Sequence, residues 1–197
     1  MLYQILFIIF GVFLDKNSSI KLLEPKYEFI RIINYFVWSA YALYSILFQS
    51  NYMVSYLFIT NTMILSYIYE MIYHTPDKGH MIHHLITILT QLVGYYSKAY
   101  QFWWVQLFTL WTYVALSSSI LSSTRHLKIL SKYKYDIIIV YKFYYVFIKL
   151  IAMLIHYYIF FYNWSFNINF WQNMACFLFF CVHLVQLYFI KIILDSS

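Results

Sequence analysis

The amino-acid sequence predicts an all-α fold, a polytopic membrane helix bundle of about seven transmembrane helices, or six if the first segment is not a span. Three observations carry that prediction. Hydrophobic residues make up 63% of the chain and charged residues 10%, too little polar surface for a water-soluble globule. Both prolines, Pro25 and Pro76, fall in polar connectors, which leaves each apolar segment free to run as an uninterrupted helix. The apolar runs are also long and without strict alternation, which excludes the pattern of a transmembrane β-barrel.

A spanning helix needs roughly 20 apolar residues, and the candidates follow in order. Leu2 to Leu14 is short; "MLYQILFIIFGVFLDK" has no basic stretch ahead of it and no small-residue cleavage motif before Asp15. It is read as a short first helix or signal anchor instead of a cleaved signal peptide. The others are Phe29 to Gln49, Tyr52 to Tyr73, Met81 to Ser97, Tyr100 to Leu121, Asp136 to Tyr162 and Phe170 to Leu194. Residues 1–28 thus hold the N-terminal hydrophobic helix and a cytosolic loop, and residues 29–197 one transmembrane domain. The connectors are short, and no internal repeat or low-complexity linker divides them.

The net charge of +6 is spread over connectors and forms no basic domain, so no nucleic-acid partner is expected. One set of connectors holds Lys16, Lys21, Lys26, Lys78, Arg125, Lys128, Lys132, Lys134 and Lys191, with Arg31 close by; the alternate set holds only Lys98. Such asymmetry places the first set and the C-terminus in the cytosol. Cys176 and Cys181 lie five residues apart in the last span, on different faces of a helix, and are read as free thiols and not as a disulfide or redox pair.

With no soluble domain, function has to sit in or beside the membrane. An ionisable group inside a span costs at least about 2.5 to 3.5 kcal/mol at the bilayer centre, so each is a functional candidate. On the fourth span His80, His84, Thr87 and Gln91 recur at i, i+4, i+7 and i+11, the spacing of one helix face. His83 stands one residue off that face, and the result is a polar stripe leading inward from the cytosol. Near the same end of the third span, Glu70 brings a carboxylate to partner a histidine or lysine, while Asn61 and Ser66 are read as interhelical hydrogen-bonding residues. On the sixth span Lys142, Lys149 and His156 share a face. Lys142 and His156 can reach opposite interfaces, but Lys149 needs an internal partner or a hydrated cavity. Gln106, Thr109, Tyr113 and Ser117 on the fifth span and His183 and Gln186 on the seventh are read as glue between helices.

His80, His83 and His84 spell HxxHH, which resembles one histidine box of the membrane di-iron enzymes; no second box is present, and no metal site is expected. HxxHH also resembles the fatty-acid elongase box, without the basic run that precedes it there. A neutral imidazole at a membrane entrance can otherwise take a proton from an amine or hydroxyl, or accept an acyl group itself.

"SYIYEMIYHTPDKGHMIHHLITIL" resembles the central motif of the TLC-domain family, which includes ceramide synthases, translocating-chain-associated membrane proteins and small lipid-related homologues. The matching residues are Glu70 where the family usually has Asp, the pair His83 and His84, and Thr87 after it. "LSSSILSSTRHL" resembles the stretch that ends in Arg before a basic loop, with Arg125 in that place, and "KYEFIRIINYFVWSAYALYS" a helix that opens with a basic residue, here Arg31. The likeness runs from about Tyr27 onward and would make residues 29–197 a TLC-like transmembrane domain of the endoplasmic reticulum.

The resemblance implies a protein of lipid metabolism or lipid sensing whose partners are membrane lipids, with self-association left open. If it is an enzyme, the reaction is acyl transfer to a lipid amine or hydroxyl with acyl-CoA as co-substrate and no bound cofactor. His83 and His84 are then the candidate base or acyl carrier, Glu70 and Lys149 tune the pocket, and Thr87, Gln91 and Arg125 bind substrate. Ceramide synthases carry further acids in the helix after the histidine pair, whereas Tyr100 to Ser131 contains no Asp or Glu, and Leu116 stands where smaller homologues tend to place Glu. A non-catalytic regulator of lipid composition, or a cargo or translocation accessory, is the competing reading. Ion or proton transport along the His and Lys stripes is a third, weakened by the lack of a second carboxylate on the path.

Overall fold

Lys26–Phe48 forms α1, with Glu28 in its first turn, where a negative charge meets the exposed N–H groups and the positive end of the helix dipole. The computed structural model of the chain describes residues 26–49, 51–74, 76, 78–163 and 169–195, with Ile9 and Phe13 ahead of them. The expected span from Leu2 to Leu14 otherwise lies outside the described residues. Beyond α1 come α2 (Met53–Tyr73), α3 (Lys78–Tyr96), α4 (Trp103–Ala115), α5 (Ser117–Thr124), α6 (Lys134–Asn163) and α7 (Phe170–Asp195). Short 3₁₀ segments at Ala99–Gln101 and Lys128–Tyr133 complete the path. No strand occurs among the described residues, and the fold is all-α.

The ends of these helices follow from local chemistry. Asn51 Oδ1 accepts the Met53 N–H at 3.0 Å as α2 begins, and Pro76 separates α2 from α3, since proline cannot continue a helix interior. After α3 the chain turns through Lys98 with φ of 60°, a left-handed conformation that costs a non-glycine residue energy but reverses the chain sharply. The start of α7 is a reciprocal cap: Asn169 N–H donates to Gln172 Oε1 at 3.0 Å, and Gln172 N–H to Asn169 Oδ1 at 2.9 Å. Such a box satisfies two backbone donors that the first helical turn would leave orphaned.

Two expected spans differ in detail. Tyr100 to Leu121 is not one helix; it breaks at Leu116, whose N–H donates to Tyr113 O at 3.0 Å, one turn tightened to i−3. The following Ser-rich run offers hydroxyls that bond backbone carbonyls, Ser118 to Ala115 at 2.8 Å and Thr124 to Ile120 at 2.6 Å, which bends helices. α3, the fourth expected span, begins at Lys78 and not at Met81, so its first turn already includes His80.

The helices close into a ring. α1 packs on α2, α2 on α3, α3 on α7, α7 on α6, and α6 on the bent α4–α5 rod, which returns to α1. α2 also reaches α4, and the core between them gathers Trp38, Ile59, Met63, Leu110 and Tyr113. Hydrogen bonds tie α2 to three neighbours. Trp38 Nε1–H donates to Thr62 Oγ1 at 2.9 Å, Tyr56 O–H to Gln91 Oε1 at 2.9 Å, and Thr60 meets Tyr113 at 2.6 Å. Asn61 and Ser66 do what their positions predict, accepting from Tyr95 O–H at 2.9 Å and Asn34 Nδ2–H at 3.2 Å.

Polar side chains point inward while Phe36, Phe48, Phe143, Phe147, Leu154 and Phe177 face outward. That inversion suits a lipid surround, where exposed apolar surface carries no penalty. Among the described residues four stretches are long and apolar enough to cross a membrane: Tyr27–Phe48, Trp103–Thr124, Lys128–Tyr158 and Phe170–Asp195. These mark a membrane protein, short of the seven spans expected. α2 and α3 form where spans were expected but are diluted by Ser55, Thr60, Thr62 and Glu70 on one and His80, His83, His84 and Gln91 on the other.

Candidate functional site

α3 sets His80, His83 and His84 on its first two turns, and the ring of helices brings all three to the wall of a cavity of about 430 Å³. Every rod of the ring contributes to that wall, including Tyr35 from α1, Tyr67 from α2, Leu116 from the α4–α5 break, Tyr145 and Lys149 from α6 and Gln186 from α7. The histidine end of the stripe read from the sequence is therefore one side of this space.

His84 is 2% exposed. Its ring lies against Tyr67 with centroids 3.9 Å apart, and its Nε2 stands 3.2 Å from Glu70 Oε2, at ion-pair distance, with the ring N–H off the straight hydrogen-bond line. In a neutral ring, a carboxylate beside Nε2 favours the N–H there and leaves Nδ1 as the acceptor. Nδ1 of His84 and Nδ1 of His83 have no hydrogen-bond partner among the described residues. The His83 ring is edge-on to Phe189, centroids 5.9 Å apart, and the His80 ring lies 5.2 Å from the same phenylalanine.

Glu70 is 4% exposed and stands behind His84, off the wall of the main cavity. It borders a second cavity of about 470 Å³ with Tyr27, His74 and His126. Arg31, His80, Ser122 and Arg125 border both spaces, so the two adjoin. Arg31 is met by Glu28 at 3.2 Å and by Tyr35 Oη at 3.1 Å. Arg125 lies over the Tyr141 ring, 5.3 Å from its centroid, and its Nε–H donates to His126 Nε2 at 3.2 Å. Burial, and then the Arg125 charge, hold the His126 imidazole below its ordinary range, in keeping with a neutral acceptor nitrogen.

Lys149 is 3% exposed, with Nζ 5.6 Å from the centroid of the Tyr145 ring. It forms no ion pair among the described residues. None of the described residues lining the main cavity is Asp or Glu, and Leu116 occupies the wall. The described wall thus carries cations, imidazoles and tyrosines beside the apolar Leu116, Phe189, Ile192 and Ile193.

Thr87 and Gln91 are not on that wall. Thr87 O–H donates to His83 O at 2.8 Å and Gln91 holds Tyr56; both border a cleft of about 30 Å³ that touches the main cavity through Tyr67, His83, Leu116 and Gln186. Sequence reasoning also missed a second histidine pair. His156 does not reach the far interface: it is buried against His183, Phe108 O and Thr112, whose Oγ1 is 3.0 Å away. His183 in turn lies 3.3 Å from Gln186 Oε1. Both histidines were visible as polar residues in apolar runs, but their meeting depends on the register of α6 against α7.

Among the described residues no three His, Cys, Asp or Glu side chains converge to hold a metal ion. Cys181 is a half-buried free thiol, and the side chain of Cys176 lies outside the described residues. No family model, curated protein or solved structure matches the chain.

Proposed function

We propose that the chain is a TLC-type multi-pass membrane protein of lipid metabolism that transfers an acyl group from acyl-CoA to a lipid hydroxyl or amine. The observation that carries this reading is the convergence of His83, His84 and Lys149 on one internal cavity, with Glu70 behind His84. A carboxylate that orients an imidazole, whose second nitrogen is unshared, is the arrangement of a general base. Nδ1 of His84 takes the acceptor proton as the acceptor attacks the thioester carbonyl, and Tyr35, Tyr141 and Tyr145 offer hydroxyls to the developing oxyanion. Seven spans, a cytosolic C-terminus and the endoplasmic reticulum belong to the same proposal. The first rests on the length of the apolar runs, the second on the uneven Lys and Arg distribution, and the last on the TLC resemblance alone.

Comparative lipidomics of cells that express wild type or the His83→Ala plus His84→Ala variant at matched protein level tests it. The proposal expects one class of acylated lipid to fall with the variant. Unchanged lipid classes at matched expression, together with lost recovery of a partner, would instead support a non-catalytic regulator or accessory protein. That second reading draws on Leu116, an apolar residue on the cavity wall where the family resemblance would place an acid.

A further inference from the structure

The acyl-transfer reading leaves open which acceptor enters the cavity, and the charge on its walls bears on that choice. Lys149 is nine-tenths buried with an aromatic ring as its neighbour and no ion pair among the described residues. Arg125 is held by the Tyr141 ring and by a neutral imidazole nitrogen. Neither cation has an ion pair with a carboxylate among the described residues, whereas Arg31 already has Glu28. Buried or half-buried cations of this kind are ordinarily paired, and an arginine whose two terminal nitrogens make no hydrogen bond among the described residues is a natural phosphate ligand.

The missing acids point the same way. A long-chain amine is protonated at neutral pH, and a site for it needs a carboxylate on the wall; here its ammonium would meet Arg31, Arg125 and Lys149 and no described Asp or Glu, since Glu28 and Glu70 border the adjoining space and not this one. A volume of about 430 Å³ lies within the range of small-molecule sites and suits a compact polar headgroup whose chain leaves between the helices.

We infer that the acceptor is an amphiphile with a phosphate next to a free hydroxyl, a lysophospholipid, held by Arg125 and Lys149 so that the hydroxyl faces the histidine pair. This rests on the acyl-transfer reading only for the step that follows binding. In that step the hydroxyl oxygen attacks the thioester carbonyl carbon of acyl-CoA. A C–O bond forms, the C–S bond breaks, and the hydroxyl proton passes to His84 Nδ1 and on to the departing thiolate, giving an ester and the free CoA thiol.

Binding to the purified full-length chain in detergent separates the candidates, with 1-oleoylglycerol 3-phosphate, 1-oleoylglycerol, sphingosine and CoA as probes. The phosphate lipid is expected to bind at least about ten-fold more tightly than the other two lipids. Arg125→Gln and Lys149→Met should each remove that preference while the variants keep the wild-type elution profile; Lys98→Gln, in the opposite connector, should keep it. Arg125 lies at the rim, so its variant is informative even if Lys149→Met fails to fold. Equal binding of the two glycerolipids, or tighter binding of sphingosine, overturns the inference. So does CoA that binds with the same sensitivity to both variants while the phosphate lipid does not, since the phosphate is then the nucleotide's. Phosphate-lipid binding without acylation upholds this inference and sinks the acyl-transfer reading, whereas acylation of sphingosine does the reverse.

Discussion

His84 has a buried carboxylate on one nitrogen and nothing on the other among the described residues, so the two sides of its ring answer to different tests. His84→Ala should lower acyl transfer by about 10² to 10⁴, the usual contribution of a general base, measured as initial rate in reconstituted vesicles. Glu70→Gln keeps the shape but favours the wrong tautomer, and should lower the same rate with little change in acceptor affinity. Lys149 makes the opposite trade. Replacing a buried lysine that has no ion pair with methionine should raise the melting temperature of the ligand-free protein, by on the order of 1 kcal/mol of stability, while acceptor binding is lost; a lowered melting temperature would argue for a hidden partner. These three residues were legible in the sequence because ionisable groups stand out in apolar runs. The tyrosines around them were not, since 23 tyrosines make any single one uninformative. The start of α3 was read at Met81 because the polar "HTPDKGH" carries no apolar signal, although the helix already starts at Lys78.

Helix by helix, α2 is the hub, tied to α1 through Trp38–Thr62, to α3 through Tyr56–Gln91 and to α4 through Thr60–Tyr113. Interhelical hydrogen bonds in membranes average about 0.6 kcal/mol each. Tyr113→Phe should therefore cost about that much in detergent unfolding and leave the cavity chemistry intact. The break at Leu116 carries the more specific expectation. Because it turns residue 116 to the cavity wall, Leu116→Glu should put a carboxylate among the cations and weaken binding of the phosphate lipid by about ten-fold or more, read by titration. The helices themselves were legible from length and hydropathy. The break was not, since "ALSSSIL" holds neither Pro nor Gly and its bend arises from serine and threonine hydroxyls bonding the preceding turn.

For the molecule as a whole, the inside-polar, outside-apolar arrangement and the lopsided connector charges predict orientation. In a background without Cys176 and Cys181, Ser131→Cys should react with a membrane-impermeant maleimide from the cytosolic side only, and Lys98→Cys from the opposite side only. Labelling on the reverse sides would overturn the topology. Membrane residence was legible from composition. The meeting of α6 and α7 that buries His156 against His183 was not, because hydropathy fixes where helices start and stop but not their rotation about one another. The same gap hid the closure of the ring that makes a cavity wall out of the histidine end of the stripe. The central claim is that the cavity is catalytic, and acyl transfer from acyl-CoA by the purified, reconstituted chain tests it most directly. Wild type should acylate an added lipid acceptor, and His83→Ala plus His84→Ala at equal protein should be slower by about 10² or more; equal rates from the two would contradict the account.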